Sequence, residues 1–144
     1  MLTGGNGNDH LTGGTGSDRL IGGAGQDILE GGYRYGDTFV FQSMSDSYSG
    51  RGFATQDHIV DFERGLDKID LSQIDANVAV AGNQAFQFVD IANWNGAAGT
   101  VSYAPNTGPN GEPLIVASDG SGLFFGVLVD NGAGLTLTAS DFIL

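Results

Sequence analysis

The chain has 144 residues, enough for one ordinary domain or one elongated unit, and its 17 acidic against 5 basic residues give a net charge of −12. That balance excludes nucleic acid as a main partner, because neutralising phosphates needs clustered Lys and Arg, and it argues against anionic membranes. With no cysteine and two histidines, disulfides and thiolate sites are unavailable and zinc is poorly served, whereas a hard cation such as Ca2+ relieves acidic self-repulsion.

In chain order, Met1-Leu2-Thr3-Gly4-Gly5 lacks the basic start and apolar stretch of a secretory leader. No apolar run reaches the roughly 18 residues that cross a bilayer, so no membrane insertion is expected and any export address lies elsewhere. Leu2-Thr3 reads as the tail of an earlier repeat, which predicts a longer natural chain with a catalytic domain upstream. From Gly4 the sequence repeats in nines: GGNGNDHLT, GGTGSDRLI and GGAGQDILE. A fourth copy, Gly31 to Phe39, has Arg34 where glycine belongs and one extra residue before Asp37, which predicts an altered turn. In each nine, Gly-Gly-x-Gly-x-Asp supplies backbone for a tight turn with positive φ. The remaining x-Leu-x is a very short strand with its middle residue inward. Two nines make a coil of 18, and stacked coils bring Leu2, Leu11, Leu20, Leu29 and Phe39 into one apolar file. A disordered glycine-rich linker is the bland alternative, but a linker has no reason to keep leucine and aspartate in phase.

Stacking also aligns the turns, so that glycine carbonyls and aspartate carboxylates meet at one gap. Ca2+ takes six to eight oxygens in flexible geometry and suits such a gap, whereas Mg2+ demands a tighter octahedron. Asp9, Asp18 and Asp27 are the expected ligands, with the carbonyls of Gly5, Gly7, Gly14, Gly16, Gly23 and Gly25. Coils two repeats apart should set the Asp9 turn against that of Asp27, and the Asp18 turn against the irregular one at Asp37. These nines resemble the calcium-binding β-roll repeat of RTX proteins.

Beyond the repeats, Asp37-Thr38-Phe39-Val40-Phe41, Asp57-His58-Ile59-Val60-Asp61-Phe62 and Gly65-Leu66-Asp67-Lys68-Ile69-Asp70-Leu71-Ser72 read as short strands broken by Asp and Gly turns. They resemble the region after the β-roll in serralysin-type metalloproteases, with alginate epimerase repeat modules as a second likeness. Asp46 and Asp57 are further candidates for the last calcium of the roll, although a solvated turn role is commoner for both. From Ala76 onward strands are predicted at 85–89, 100–103, 114–118, 123–129 and 135–137, with one or two helical turns at 73–81. The fold class is therefore all-β, a right-handed parallel β-roll over 1–41 running into a sandwich-like β cap over 42–144 as one continuous unit. A cap is physically required, because a stack of coils ends in open strand edges. The stretch from Ala85 to Gly99 again resembles the serralysin C-terminal domain. The terminal Ser140-Asp141-Phe142-Ile143-Leu144 resembles the uncleaved signal read by type I exporters, and equally suits a last edge strand.

Catalysis finds little support. The zinc helix His-Glu-x-x-His is absent, His10 and His58 are far apart, and there is no nucleophile elbow. The leading expectation is a non-catalytic, secreted calcium module that is largely unfolded at low calcium, passes a type I exporter, and folds outside to support its enzyme, a metalloprotease or an epimerase among the candidates. The alternative is a polysaccharide-binding accessory module, with Arg19, Arg34, Arg51, Arg64 and Lys68 joined by Tyr33, Tyr35 and Tyr48 in an anion-holding patch.

Overall fold

The computed structural model describes residues 1–47, 55–130 and 135–144. Twelve short strands follow in order: β1 (Leu2–Asn6), β2 (His10–Thr12), β3 (Arg19–Ala24), β4 (Ile28–Glu30), β5 (Thr38–Val40), β6 (Asp57–Ile59), β7 (Lys68–Asp70), β8 (Gln87–Phe88), β9 (Thr100–Ala104), β10 (Leu114–Ser118), β11 (Phe124–Val129) and β12 (Phe142–Ile143). The first seven alternate between two sheets, as a coiling chain must when each turn reverses its direction. One sheet runs β1-β3-β5-β7-β12 and the other β2-β4-β6-β11-β10-β9-β8. Neighbours within the coils are all parallel, and among the described residues only the β9-β10-β11 meander is antiparallel. This is a parallel β-roll closed by a β cap.

The predicted single apolar file is two facing files. Leu2, Leu20, Phe39, Ile69 and Phe142 align across the first sheet. Leu11, Leu29, Ile59 and Val129 align across the second. Alternate nines feed alternate sheets, and all the leucines point into the one space between them. The cap thickens this core with Val101, Ile115, Phe125 and Val127, all fully buried. Phe125 meets Phe41 edge to face at 4.9 Å, and Phe88 meets Phe142 at 5.5 Å. That last contact joins the final strand of each sheet, so the roll is shut where the repeat has lapsed.

Two expectations for the cap need correction. Residues 73–81 form turns and no helix, because Asp75 accepts from Asn77 N–H at 3.1 Å and Gln84 N–H at 3.2 Å and draws the backbone into an Asx turn. Leu135 and Leu137 are buried without being strand; they fill the core as anchors of an irregular segment. Among the described residues, two short 3-10 helices, Ile91–Asn93 and Ala139–Asp141, were not expected. The second is held by Asp141, whose carboxylate accepts from Thr138 N–H at 2.8 Å. It delivers Phe142 to its place beside Ile69.

Candidate functional site

The turns on each side of the roll are joined by a ladder of carboxylates. On one side Asp9 N–H donates to Asp27 Oδ1, and Asp27 N–H to Asp57 Oδ1, both at 2.8 Å. On the other, Asp18 N–H donates to Asp37 Oδ1 at 2.7 Å and Asp37 N–H to Asp67 Oδ1 at 2.8 Å. Asp9 therefore faces Asp27, and Asp18 faces Asp37, as the 18-residue coil requires. The glycines make the approach possible. Gly5, Gly7, Gly14, Gly16, Gly23 and Gly25 all have positive φ. A Cβ on Gly23 would overlap the Gly5 carbonyl of the coil before it. The first glycine of each repeat is needed for a different reason: a Cβ on Gly4 would stand 2.6 Å from Asp9 Oδ2. The fourth turn keeps the glycine geometry without the residue, since Arg34 sits at φ 80° and its N–H donates to Glu63 Oε2 at 2.6 Å.

Asp27, Asp37, Asp57 and Asp67 each spend Oδ1 on the backbone N–H of the aspartate one coil earlier, and all of these but Asp67 leave Oδ2 over. The Oδ2 atoms of Asp9, Asp27, Asp37 and Asp57 are buried and accept no hydrogen bond. A carboxylate oxygen without a donor is costly to bury. Burial accordingly raises Asp27 and Asp37 above the usual carboxylate range. It pushes Asp57 up to about 8 and Asp67 to about 6, against the pull of the backbone N–H groups and helped by neighbouring acidic charges. Asp57 is thus no solvated turn residue: it is fully buried in β6 and prolongs the first ladder. Asp46 does serve a turn, accepting from Gln42 N–H at 2.7 Å and Ser43 N–H at 3.0 Å. Its charge still acts on Asp27 and Asp57.

Orphaned acceptor oxygens call for a positive charge, which a cation between adjacent turns would supply. Among the described residues no three His, Asp or Glu side chains converge as a metal cluster. A cation here must therefore draw most of its ligands from turn carbonyls, which favours Ca2+ over metals that want nitrogen or sulfur.

The reading from sequence missed Asp61, Glu63 and Asp67. Asp61 accepts from Gly31 N–H at 3.0 Å and Gly32 N–H at 2.7 Å, replacing the carbonyls of a further glycine turn. Asp67 Oδ2 accepts from Glu63 N–H at 2.7 Å, so both its oxygens are engaged. A signal was present: the tripeptide Asp-x-apolar survives in Asp57-His58-Ile59 and Asp67-Lys68-Ile69 after the glycines have gone. It was obscured because the ladder spacing jumps from 18 residues between Asp9 and Asp27 to 30 between Asp27 and Asp57. For the anion-holding patch, Tyr48 and Arg51 lie outside the described residues. Arg19 pairs with buried Asp70 at 3.1 Å, Arg64 lies 3.9 Å from Asp141, and Lys68 Nζ donates to the Ser140 carbonyl at 2.6 Å. Tyr33 and Tyr35 are exposed.

Stacked glycine turns lined by two carboxylate ladders, over two facing files of leucine, define the class: a parallel β-roll of nonapeptide repeats with a β cap. The chain belongs to the family Peptidase M10 serralysin C terminal, whose model matches residues 2–144. Among solved structures it is similar to the R2 subunit of AlgE6, a mannuronan C5-epimerase of Azotobacter vinelandii, with 29% identity and a TM-score of 0.67 over 99% of this chain and 80% of that one. The R3 subunit of the same enzyme is similar at 26% identity and a TM-score of 0.56, over 97% of this chain and 80% of that one. No curated protein matches the chain.

Proposed function

We propose that this chain is a calcium-binding, non-catalytic module of a secreted enzyme, which completes its fold on taking up Ca2+ and so supports export and stability of its parent. The observation that carries the reading is the pair of ladders with four buried carboxylate oxygens lacking any donor. One Ca2+ would lie between the turns of Asp9 and Asp27, one between Asp27 and Asp57, and one between Asp18 and Asp37. The carbonyls of Gly5, Gly7, Gly14, Gly16, Gly23 and Gly25 would complete the coordination. The gap between Asp37 and Asp67 differs, because protein N–H groups already engage Asp61 and Asp67 there.

Without the ion, buried carboxylates repel one another across strands of three to six residues, and little apolar burial opposes them. At cytosolic calcium the coils would stay open, a state that suits passage through a type I exporter; outside, ligand binding and folding would proceed together. The terminal segment 140–144 fits both roles expected of it. It is free to be read before the first sheet closes, and afterwards Phe142 is the buried last member of that sheet's file.

Polysaccharide binding is kept as a second reading on one observation. Arg19, Thr38 and Lys68 stand in register on the outer face of the first sheet, and Tyr33 and Tyr35 are exposed. The replacement of Arg19 and Arg34 by Ala, with oligo-alginate binding measured, tests it. For the first reading the test is a far-UV circular dichroism titration of EDTA-stripped protein with Ca2+, and with Mg2+ as control. A cooperative gain of β signal with Ca2+ alone is expected. A spectrum already complete without metal and unmoved by it would sink the mechanism.

A further inference from the structure

An Asn-Gly pair can rearrange without an enzyme. The glycine nitrogen attacks the Asn side-chain amide carbon, ammonia leaves, and water opens the succinimide at either carbonyl to give aspartate or isoaspartate. The reaction needs an Asn that water reaches, a following N–H that is not held elsewhere, and no Cβ to hinder ring closure. The sequence has four such pairs, Asn6-Gly7, Asn95-Gly96, Asn110-Gly111 and Asn131-Gly132, the last outside the described residues. Asn6, Asn95 and Asn110 are all exposed, so hydrogen bonding decides between them. Gly7 N–H donates to the Ala24 carbonyl of the next coil at 2.8 Å. Gly111 N–H donates to the Gly108 carbonyl at 3.0 Å, and the Asn110 amide is pinned as well, its Nδ2 donating to Glu112 Oε1 at 2.8 Å. Gly96 N–H has no acceptor among the described residues. Asn95 Oδ1 accepts from Ala97 N–H at 3.0 Å, a donor placed to stabilise the charge that develops on that oxygen as the Gly96 nitrogen attacks. Glycine at 96 is required by the fold: its φ is 73°, and a Cβ there would stand 3.3 Å from Phe124 Cε1. The turn that seats Phe124 edge to face against Trp94, with ring centres 6.1 Å apart, therefore imposes the reactive pair.

We propose that Asn95-Gly96 is a self-modification site of the folded protein, where the Gly96 nitrogen closes on Asn95 Cγ, ammonia is released, and hydrolysis leaves aspartate or isoaspartate at position 95. Either product adds a carboxylate beside Trp94, and isoaspartate also lengthens the backbone by a carbon at the turn that seats Phe124. Asn6-Gly7 and Asn110-Gly111 are protected, because their glycine N–H groups must first leave a hydrogen bond. For Asn6 that bond joins two coils, so its protection lasts only while the first coils are closed. The metal dependence of Asn6 rests on the calcium reading; the reactivity of Asn95 does not.

The test incubates Ca2+-loaded, EDTA-treated and urea-unfolded protein at mildly alkaline pH and follows each pair by peptide mapping, with aspartate and isoaspartate products separated by chromatography. With Ca2+, product should form at Asn95 about tenfold faster than at Asn6 or Asn110, the ratio given by barriers about 1.4 kcal/mol apart. In urea, where the hydrogen bonds are gone, the three pairs should react at similar rates. Equal rates in the Ca2+-loaded protein would overturn the proposal, as would Asn6 or Asn110 reacting ahead of Asn95. An ordering that persists in urea would trace the difference to local sequence and overturn it too. With EDTA, Asn6 should rise to the rate of Asn95. Asn6 equally protected with and without Ca2+, while Asn95 stays fast, would sink the metal-coupled closing of the coils and uphold the modification site.

Discussion

The first coils and the cap are held together by different physics. Residues 1–41 put few side chains into the fully buried core, Leu20, Leu29, Phe39, Val40 and Phe41, and spend most of their length on glycine turns and aspartate ladders. The cap, over 100–129, buries Val101, Ile115, Ala117, Phe125, Val127 and Val129 within an antiparallel meander of five- and six-residue strands. The cap is an ordinary hydrophobic assembly, whereas the coils are a polar framework with buried acceptors left over. Glycine costs more chain entropy on folding than any other residue, so the coils carry the larger conformational penalty with the smaller apolar return. The difference teaches that metal dependence should be regional.

Calcium removal should break the comparison open most widely. Each site filled at a hundredfold excess over its Kd contributes about 2.7 kcal/mol, so the three proposed sites together contribute about 8 kcal/mol, of the same order as the burial of the coils' few core side chains. Hydrogen exchange followed by mass spectrometry on EDTA-treated protein should show residues 1–41 unprotected and residues 100–129 still protected. Loss of protection in both regions at once would erase the distinction.

Phe125→Ala attacks the other half. Deleting a fully buried phenylalanine costs roughly 3–5 kcal/mol, and here it also removes the edge-to-face partner of Phe41. The melting temperature should fall both with and without Ca2+, and calcium stoichiometry in the folded protein should hold. Asp27→Asn acts the opposite way. The amide oxygen can still accept from Asp9 N–H, but one charge shared by two gaps is gone. Calcium affinity measured by isothermal titration should drop about tenfold, or about 1.4 kcal/mol, while the EDTA-treated protein changes little or gains stability.

The sharpest test of mechanism concerns pH. In the folded, metal-free coils Asp57 titrates at about 8 and Asp67 at about 6, both above the ordinary aspartate value. The folded state therefore binds more protons than the unfolded chain between about pH 4 and 8, and stability falls as pH rises through that window. Each titrating group changes it by at most about 1.4 kcal/mol per pH unit. In EDTA-treated protein the hydrogen-exchange protection of residues 1–41 should be partly regained at pH 5 and lost at pH 8.5. Calcium uptake at neutral pH should release protons, visible as buffer-dependent heats.

Legibility followed the repeat. Three copies in phase disclosed the coil period, the inward leucines, the pairing of Asp9 with Asp27 and of Asp18 with Asp37, and the carbonyl-lined turns, because a period of nine leaves few ways to stack. Where Asp61 takes over from glycine carbonyls and the spacing lengthens to 30, the period stops but the ladder does not. Asp57 and Asp67 are therefore hard to tell from turn aspartates by inspection. The Leu135–Leu137 segment misled for a related reason: alternating apolar residues mark burial, and burial need not mean a strand.

By itself the sequence determined what depends on nearest neighbours along the roll: turn chemistry, coil length, inward file and acidic gaps. Only the tertiary structure decided what depends on contacts distant in sequence. These are the split of the leucines into two facing files, the joining of β6 to β11 and of β7 to β12, and the end of each ladder. A repeat carries its own stacking rule in every copy, while the place where stacking stops is set by whichever distant segment arrives to satisfy the last donors.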